Sequence, residues 1–127
     1  MAKSPGHQQD KNHKVEESPV AGTVKASVGG REVASTSDVI AVHETGCPVR
    51  YYFARTAVDG KLLQPSQTSS TCPFKGTASY YNLVVDGKTF KDAIWSYEDP
   101  YDEHVALKGR LAFYDDKLPE IKITAPA

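Results

Sequence analysis

The sequence predicts a single small, mainly β domain of antiparallel hairpins, with one short helix near residues 100–108. Three observations favour this class. Short runs of β-type residues recur from Gly22 onward and are separated by Gly, Asp and Pro. Two of the separators, Gly29-Gly30 and Asp86-Gly87, are two-residue hairpin signals. The 127 residues are enough for one modest hydrophobic core.

The domain is expected to span residues 20–127 and to follow a flexible polar tail over residues 1–19. The tail is nearly all polar and buries too little apolar surface to offset the entropy of ordering it. His7 and His13 lie in it, so a metal-binding tail is the alternative to a solvated one. Since the segment lacks the apolar stretch of a signal peptide, we expect a cytoplasmic location, with a nuclear one as the alternative.

The distribution of charge indicates which kinds of partner the protein can bind. The 15 basic and 16 acidic residues are well mixed and give a net charge of −1. A nucleic-acid binder and a polybasic membrane protein both need a clustered basic face, so we expect neither nucleic acid nor a membrane as partner. The sequence leaves the oligomeric state open.

The strand candidates follow in order. The segments "TVKASV" and "REVAST" flank the Gly pair, and then come "DVIAVHET", "RYYFAR", "VDGKLL", the hairpin "TASYYNLVVDGKTFKDAIWSY", "RLAFY" and "EIKIT". In the short helix, Asp99 is the expected cap and Pro100 the first residue. Lys108 then lies in the last turn and Gly109 just beyond the end.

Counting outward from Asp86-Gly87 as a two-residue turn predicts a register for the main hairpin. The predicted pairs on one face are Val85–Lys88, Leu83–Phe90, Tyr81–Asp92 and Ser79–Ile94, and those on the other face are Val84–Thr89, Tyr80–Ala93 and Ala78–Trp95. The first face carries the core residues Leu83, Val85, Phe90 and Ile94.

The reverse face carries Tyr80, Trp95 and Tyr97, and these rings need contacts as well. Burial of each ring is worth about 2–3 kcal/mol, so leaving all of them in water would forfeit much of the driving force for folding. Two interpretations are open. A second protein layer covers the face, or the rings line a cleft that holds a small ligand by stacking or cation–π contact.

Polar candidates for a site lie near these rings. Lys75 offers a point charge for an anion, and the following Gly76 allows a backbone bend or close approach by a ligand. Arg50, beside Tyr52, offers a bidentate contact. Glu98 is the candidate that orients a polar group. The alternative for both cations is a surface position in which their stems cover apolar neighbours.

Two residues are candidates for catalysis. Cys72 could act as a nucleophile, with Lys75 lowering its pKa and His43 or His104 as base. Glu98 could act as a general base. The alternative for Cys72 is a packed, unreactive thiol.

No metal or other cofactor is expected. His43, Cys47, Cys72 and His104 lack the short ligand spacing of a zinc site. Asp115-Asp116 is typical of a turn. A disulfide between the two cysteines would require their loops to meet.

The segments "CPFKGTASYY", "AIWSYEDP" and "GRLAFYDDKLPEI", with "RYYFAR" and "LLQPSQTSSTCP" upstream, resemble the family catalogued as domain of unknown function 427. The likeness covers about Val24 to Ile123. It implies a small β-rich fold related to the β-tent group of zinc-binding and imide-binding domains. Some catalogues label the family nucleotidyltransferase-like, but the sequence shows neither that chemistry's paired acidic residues nor a P-loop. The close Cys pairs that hold zinc in β-tent relatives are also missing.

These patterns predict a domain that binds a small molecule or an anion in an aromatic-lined pocket beside the "CPFKG" loop. Two alternatives stay open. One is an enzyme that acts on a small molecule with Cys72 or Glu98 in the pocket. The other is a protein-interaction module that uses the aromatic patch.

Overall fold

A computed structural model describes Ser4, Gly6 and residues 12–126. In this part of the chain, ten strands form two antiparallel sheets. The strands are β1 (Val15–Pro19), β2 (Val24–Val28), β3 (Arg31–Thr36), β4 (Val39–Glu44), β5 (Arg50–Phe53), β6 (Leu63–Cys72), β7 (Gly76–Val85), β8 (Lys88–Ser96), β9 (Leu111–Phe113) and β10 (Ile121–Thr124). The predicted mainly β class is confirmed.

The larger sheet has seven strands in the order β1-β4-β5-β9-β8-β7-β6, and the smaller has three in the order β10-β2-β3. The smaller sheet covers one face of the larger, and the main core lies between them. Its largest fully enclosed side chains include Phe53, Leu83, Ile94, Leu111 and Ile121. The other face of the larger sheet carries a second buried cluster, which contains Tyr52, Trp95 and Tyr97. The sheet therefore has two apolar faces, as the hairpin pattern predicts.

The Asp86-Gly87 turn is a two-residue turn with φ values of 52° and 79°, which fit the type I′ geometry of tight hairpins. The predicted register is correct from Val85↔Lys88 to Leu83↔Phe90.

Beyond Leu83 the predicted register is wrong, because β8 carries a bulge of two residues there. The observed pairs are Tyr81↔Ile94, Tyr80↔Trp95 and Ser79↔Ser96. An even offset restores the alternation of faces beyond the bulge, so Tyr80 and Trp95 lie on the face predicted for them. Ala93, next to the bulge, is the exception, because it lies in the main core and not on the reverse face.

Asp92 lies at the bulge with φ 52°. Its backbone N–H donates to Asn82 Oδ1 at 2.9 Å, and its carboxylate accepts from Ser66 Oγ at 2.5 Å and Thr68 Oγ1 at 2.8 Å. These bonds tie the bulge to the edge strand β6. They also explain why the pKa of Asp92 is lowered, since the bonds outweigh the opposing effect of burial.

The predicted helix is a 3₁₀ helix over Asp102–Leu107, preceded by Tyr101, and it has no side-chain cap. Asp99 is not the cap, because the Asp99-Pro100 backbone packs against Gly76 instead. A Cβ at Gly76 would lie 3.3 Å from Asp99 O and from Pro100 Cα. The close approach that Gly76 allows is thus made by the chain itself. Short 3₁₀ helices also occur at Arg55–Ala57 and Gly60–Leu62.

Two edge strands were not predicted. β1 lies inside the expected tail and pairs with β4, so ordered structure begins before residue 20. A strand was predicted at "VDGKLL", but the strand in this region is β6, which has ten residues, begins at Leu63 and pairs with β7. Both edges carry mostly exposed polar side chains. Along the described residues, no helix has both the length and the apolar character needed to cross a membrane.

Candidate functional site

The second face of the larger sheet contains a cavity of about 180 Å³. Six of the seven predicted ligand-binding residues line it, namely Arg50, Tyr52, Lys75, Tyr80, Trp95 and Tyr97. Four lining residues were not predicted as ligand contacts, namely Glu44, Cys47, Ser70 and Tyr114. Glu98 does not line the cavity.

Strand register brings three of the rings into one row. Tyr80 of β7 pairs with Trp95 of β8, Trp95 pairs with Ala112 of β9, and Ala112 pairs with Tyr52 of β5. Residues paired in this way share a face of the sheet. Because Ala112 is small, Trp95 Nε1 can reach over it and donate to the Tyr52 hydroxyl at 3.1 Å.

Tyr114 extends the aromatic wall. It packs on Trp95 with ring centroids 4.4 Å apart and stacks nearly parallel to Tyr80 at 6.1 Å. The Tyr80 hydroxyl also lies 2.9 Å from Ser70 Oγ on the edge strand. Tyr97 follows β8 directly, and its carbonyl accepts from the backbone N–H of Gly109 at 3.0 Å. Five rings thus form a continuous wall.

Arg50 lies against this wall. Its guanidinium carbon is 5.2 Å from the Trp95 ring centroid and 5.7 Å from that of Tyr114. Two of its nitrogens donate to the Asp116 carboxylate, at 2.8 and 3.1 Å. This bidentate contact raises the pKa of Arg50 and lowers that of Asp116. The charge of Arg50 is therefore already compensated.

The charge of Lys75 is compensated as well. Its ammonium donates to Glu44 Oε1, and the two side chains are only 8% and 13% exposed. Glu44 Oε2 lies 2.9 Å from His13 Nε2. Burial alone would raise the pKa of Glu44, but its hydrogen bonds to Lys75 and His13 outweigh burial and lower it.

Three phenols that line the cavity, those of Tyr52, Tyr97 and Tyr114, stay protonated at ordinary pH. Burial raises the pKa of Tyr52 and, together with the nearby Tyr52 and Cys72 side chains, that of Tyr97. Burial and the neighbouring Tyr80 hydroxyl raise the pKa of Tyr114 to about 12. These side chains can therefore act as neutral hydrogen-bond donors at ordinary pH.

Residues from the expected tail adjoin the "CPFKG" loop. Ser4 Oγ and the backbone N–H of Gly6 each donate to the carbonyl of Pro73 at 2.7 Å. The His13 ring stacks on Phe74 with centroids 3.9 Å apart. The prediction of a flexible tail does not hold at these positions, because each has a partner in the domain. His7 lies outside the described residues.

Glu98 belongs to a different cluster. Its Oε1 accepts from the Tyr81 hydroxyl at 2.9 Å and from Arg55 Nη1 at 3.3 Å. Arg55 also lies over the Tyr81 ring, 5.3 Å from its centroid. This exposed network holds the 3₁₀ segment at Arg55 against β7.

The two cysteines are free. Cys72 is half-buried and packs against the aromatic cluster without lining the cavity, whereas Cys47 is exposed and lines it. Of the suggested bases, His104 is buried with Nδ1 2.6 Å from Glu17 Oε2, and His43 is exposed on β4. Within the described ranges, no group of three or more His, Cys, Asp and Glu residues is placed to hold a metal ion.

Only one of the four unpredicted lining residues carried a usable signal. In "RLAFY", Leu111 and Phe113 belong to the main core, so Tyr114 alternates with them onto the face of Ala112. Glu44 meets Lys75 only through the order of the strands in the sheet. Cys47 lies in the loop between β4 and β5, and Ser70 lies on β6, where no strand was predicted.

The model of one protein family, described as a domain of unknown function (DUF427), matches residues 16–123. The chain belongs to the DUF427 family. The match runs from β1 to β10 and includes every residue that lines the cavity. No curated protein matches the chain. The DUF427 description carries no activity.

Proposed function

We propose that this DUF427 domain binds a small molecule in the cavity, held mainly by aromatic contacts. The supporting observation is a space of about 180 Å³ whose wall contains five aromatic rings and two ion-paired cations. Protein interiors usually leave few voids larger than a water molecule. Ligand sites are typically concave and largely apolar, with a few polar groups at fixed positions.

The ion pairs favour a ligand without net charge. Lys75 is paired with Glu44, and Arg50 with Asp116. A bound anion would compete with these carboxylates for both cations. Removing one partner from a buried pair typically costs about 3–5 kcal/mol, so an anion that displaced Glu44 from Lys75 would lose affinity to that cost. Asp116 is 49% exposed, so the Arg50–Asp116 pair opposes an anion less strongly. The anion-binding form of the prediction is therefore the less favoured one.

The other two hypotheses have weaker support. An enzyme that uses Cys72 or Glu98 in the pocket would need one of them in the cavity wall, and neither lines it. An interaction module would need a contiguous exposed apolar area. In the described part of the chain, the exposed large hydrophobic residues are Val49, at 39%, and Val105, at 49%, and the cavity rings are buried or half-buried.

Native mass spectrometry of freshly purified protein, followed by a fragment screen, tests the proposal. Trp95 is the single tryptophan and lies in the cavity wall, so its fluorescence reports directly on occupancy. Cys47→Phe places a ring at the cavity. Val105→Phe, at an exposed position that does not line the cavity, is the matched control.

We expect fragments to bind the wild type and Val105→Phe and to lose binding in Cys47→Phe. Equal binding by all three proteins would place the ligand elsewhere. A screen in which no fragment alters Trp95 fluorescence would argue against a ligand site in this cavity.

A further inference from the structure

Hydrogen-bond donors and acceptors are unevenly matched in the cavity wall. Tyr97 is 6% exposed and lines the cavity, and its hydroxyl makes no hydrogen bond to any residue that the structure describes. A hydroxyl without a protein partner in a cavity wall is available to a ligand that brings an acceptor.

The hydroxyl of Tyr97 opens onto the cavity. Within the described residues, the fully enclosed side-chain oxygens without a partner are Ser96 Oγ and Asp102 Oδ1, so the Tyr97 oxygen is not sealed inside the protein. Tyr97 also lines the cavity, and the Lys75 ammonium lies 5.9 Å from its ring centroid. A ligand in this space would therefore meet an unpaired phenol.

Two further donors in the wall have capacity left. The Tyr52 oxygen accepts from Trp95, but its own proton has no acceptor among the described residues. The Lys75 ammonium has three N–H bonds, and its recorded hydrogen bond is to Glu44. Tyr52 itself is fully buried, so Lys75 and Tyr97 are the donors that a ligand in this space can reach.

The acceptors in the wall already have partners. Each oxygen of Glu44 has one, Lys75 for the first and His13 for the second. Ser70 and Tyr80 share one hydrogen bond. A ligand that brings an acceptor matches the unused N–H bonds of Lys75 and the Tyr97 hydroxyl.

We propose that the ligand is a small, flat, uncharged molecule with a carbonyl oxygen that accepts from the Tyr97 hydroxyl and from Lys75. Its ring lies against Trp95 and the neighbouring tyrosines, because offset stacking and edge contacts with these faces are favourable. This assignment rests on the proposed function and adds the chemical class of the ligand.

Three probes that share a benzene ring test the class. Benzamide carries a neutral carbonyl, benzoate a negative charge, and benzylamine a positively charged donor group. Each is titrated into the full chain while Trp95 fluorescence is recorded. Tyr97→Phe removes one oxygen and keeps the ring. Tyr81→Phe, on the same strand-and-hairpin unit but outside the cavity, is the matched control.

We expect benzamide to bind most tightly of the three. Tyr97→Phe should weaken benzamide about 3- to 10-fold, the effect of one neutral hydrogen bond, and leave benzylamine unchanged. Tyr81→Phe should change neither probe.

The failures can be told apart. Tighter binding of benzylamine or benzoate than of benzamide would overturn the ligand class and leave small-molecule binding standing. Equal benzamide affinity in the wild type and Tyr97→Phe would overturn the role of Tyr97. If none of the probes binds, both the class and the proposed function lose their support.

Discussion

Lys75 and Glu44 form an ion pair that joins the loop after β6 to the end of β4, with side chains only 8% and 13% exposed. The Lys75 ammonium also lies 5.9 Å from the Tyr97 ring centroid. Because Glu44 contacts His13 as well, one carboxylate links the N-terminal residues to the cavity wall. The pair is therefore both a structural link and part of the candidate site.

Removing either partner of this pair should be costly. Glu44→Gln leaves Lys75 without a compensating charge, and we expect a loss of about 3 kcal/mol in the free energy of unfolding, measured in urea. Lys75→Met should cost a similar amount, and the double variant less than the sum of the two. Glu32→Gln, in the exposed Lys25–Glu32 pair, is the control and should change stability by under about 0.5 kcal/mol. Strict additivity would show that the two side chains are not coupled.

The lowered pKa of Glu44 predicts a loss of stability in acid. A carboxyl whose folded-state pKa is lowered contributes stability that is fully present above its unfolded value, here 4.5, and is lost as the pH falls through the folded value. Asp116, paired with Arg50, acts in the same direction. Urea unfolding between pH 7 and pH 3 should therefore show a steeper decline below pH 4.5 for the wild type than for Glu44→Gln. Parallel curves would count against this explanation.

The Trp95–Tyr52 hydrogen bond should matter more than an exposed one. Tyr52→Phe leaves the buried indole N–H without its acceptor, and we expect a loss of about 1–2 kcal/mol. Tyr81→Phe removes a hydroxyl from the exposed Arg55–Glu98 network and should cost under about 0.5 kcal/mol. Thermal unfolding of both variants makes the comparison. A smaller loss for Tyr52→Phe than for Tyr81→Phe would show that the buried bond is not what stabilises the row.

Replacing Asp92 with alanine should destabilise the domain. Asp92→Ala loses the bonds to Ser66 and Thr68 and keeps a residue with φ 52° that alanine adopts poorly. We expect a loss of about 2 kcal/mol, and a smaller one for Asp92→Asn, because asparagine tolerates this backbone and can bond both hydroxyls. Urea midpoints check the order. Equal losses for the two variants would mean that the charge of Asp92, which both remove, matters more than its conformation and hydrogen bonds.

The hairpin shows how far sequence reasoning reaches. The Asp86-Gly87 turn fixes the first pairs because turn geometry is local. The bulge at Asp92 depends on bonds from Ser66 and Thr68 in β6, a strand whose polar sequence and Pro65 resemble a loop. Such partners are not visible in a linear reading. The even offset kept Tyr80 and Trp95 on their predicted face, while Ala93 at the bulge moved to the main core.

The site was predictable on the same basis. Tyr80, Trp95 and Tyr97 follow from alternation along one hairpin, which places them on one face. Glu44 does not follow, because it meets Lys75 only through a seven-stranded order that no local pattern encodes. The sequence favours an anion site for the same reason, because partners distant in the sequence cannot be seen in it. The sequence shows Lys75 and Arg50 but not the carboxylates that pair with them.

The most direct test of the account is an NMR titration of the full chain with benzamide, observed at the Trp95 indole N–H. The chain has one tryptophan, so this signal is unique; Trp95 lines the cavity, and its N–H donates to Tyr52, another lining residue. We predict a saturable shift of the signal in the wild type and a much reduced one in Cys47→Phe. An indole signal that stays in place at saturating benzamide, or that moves equally in both proteins, would contradict a ligand site in this cavity.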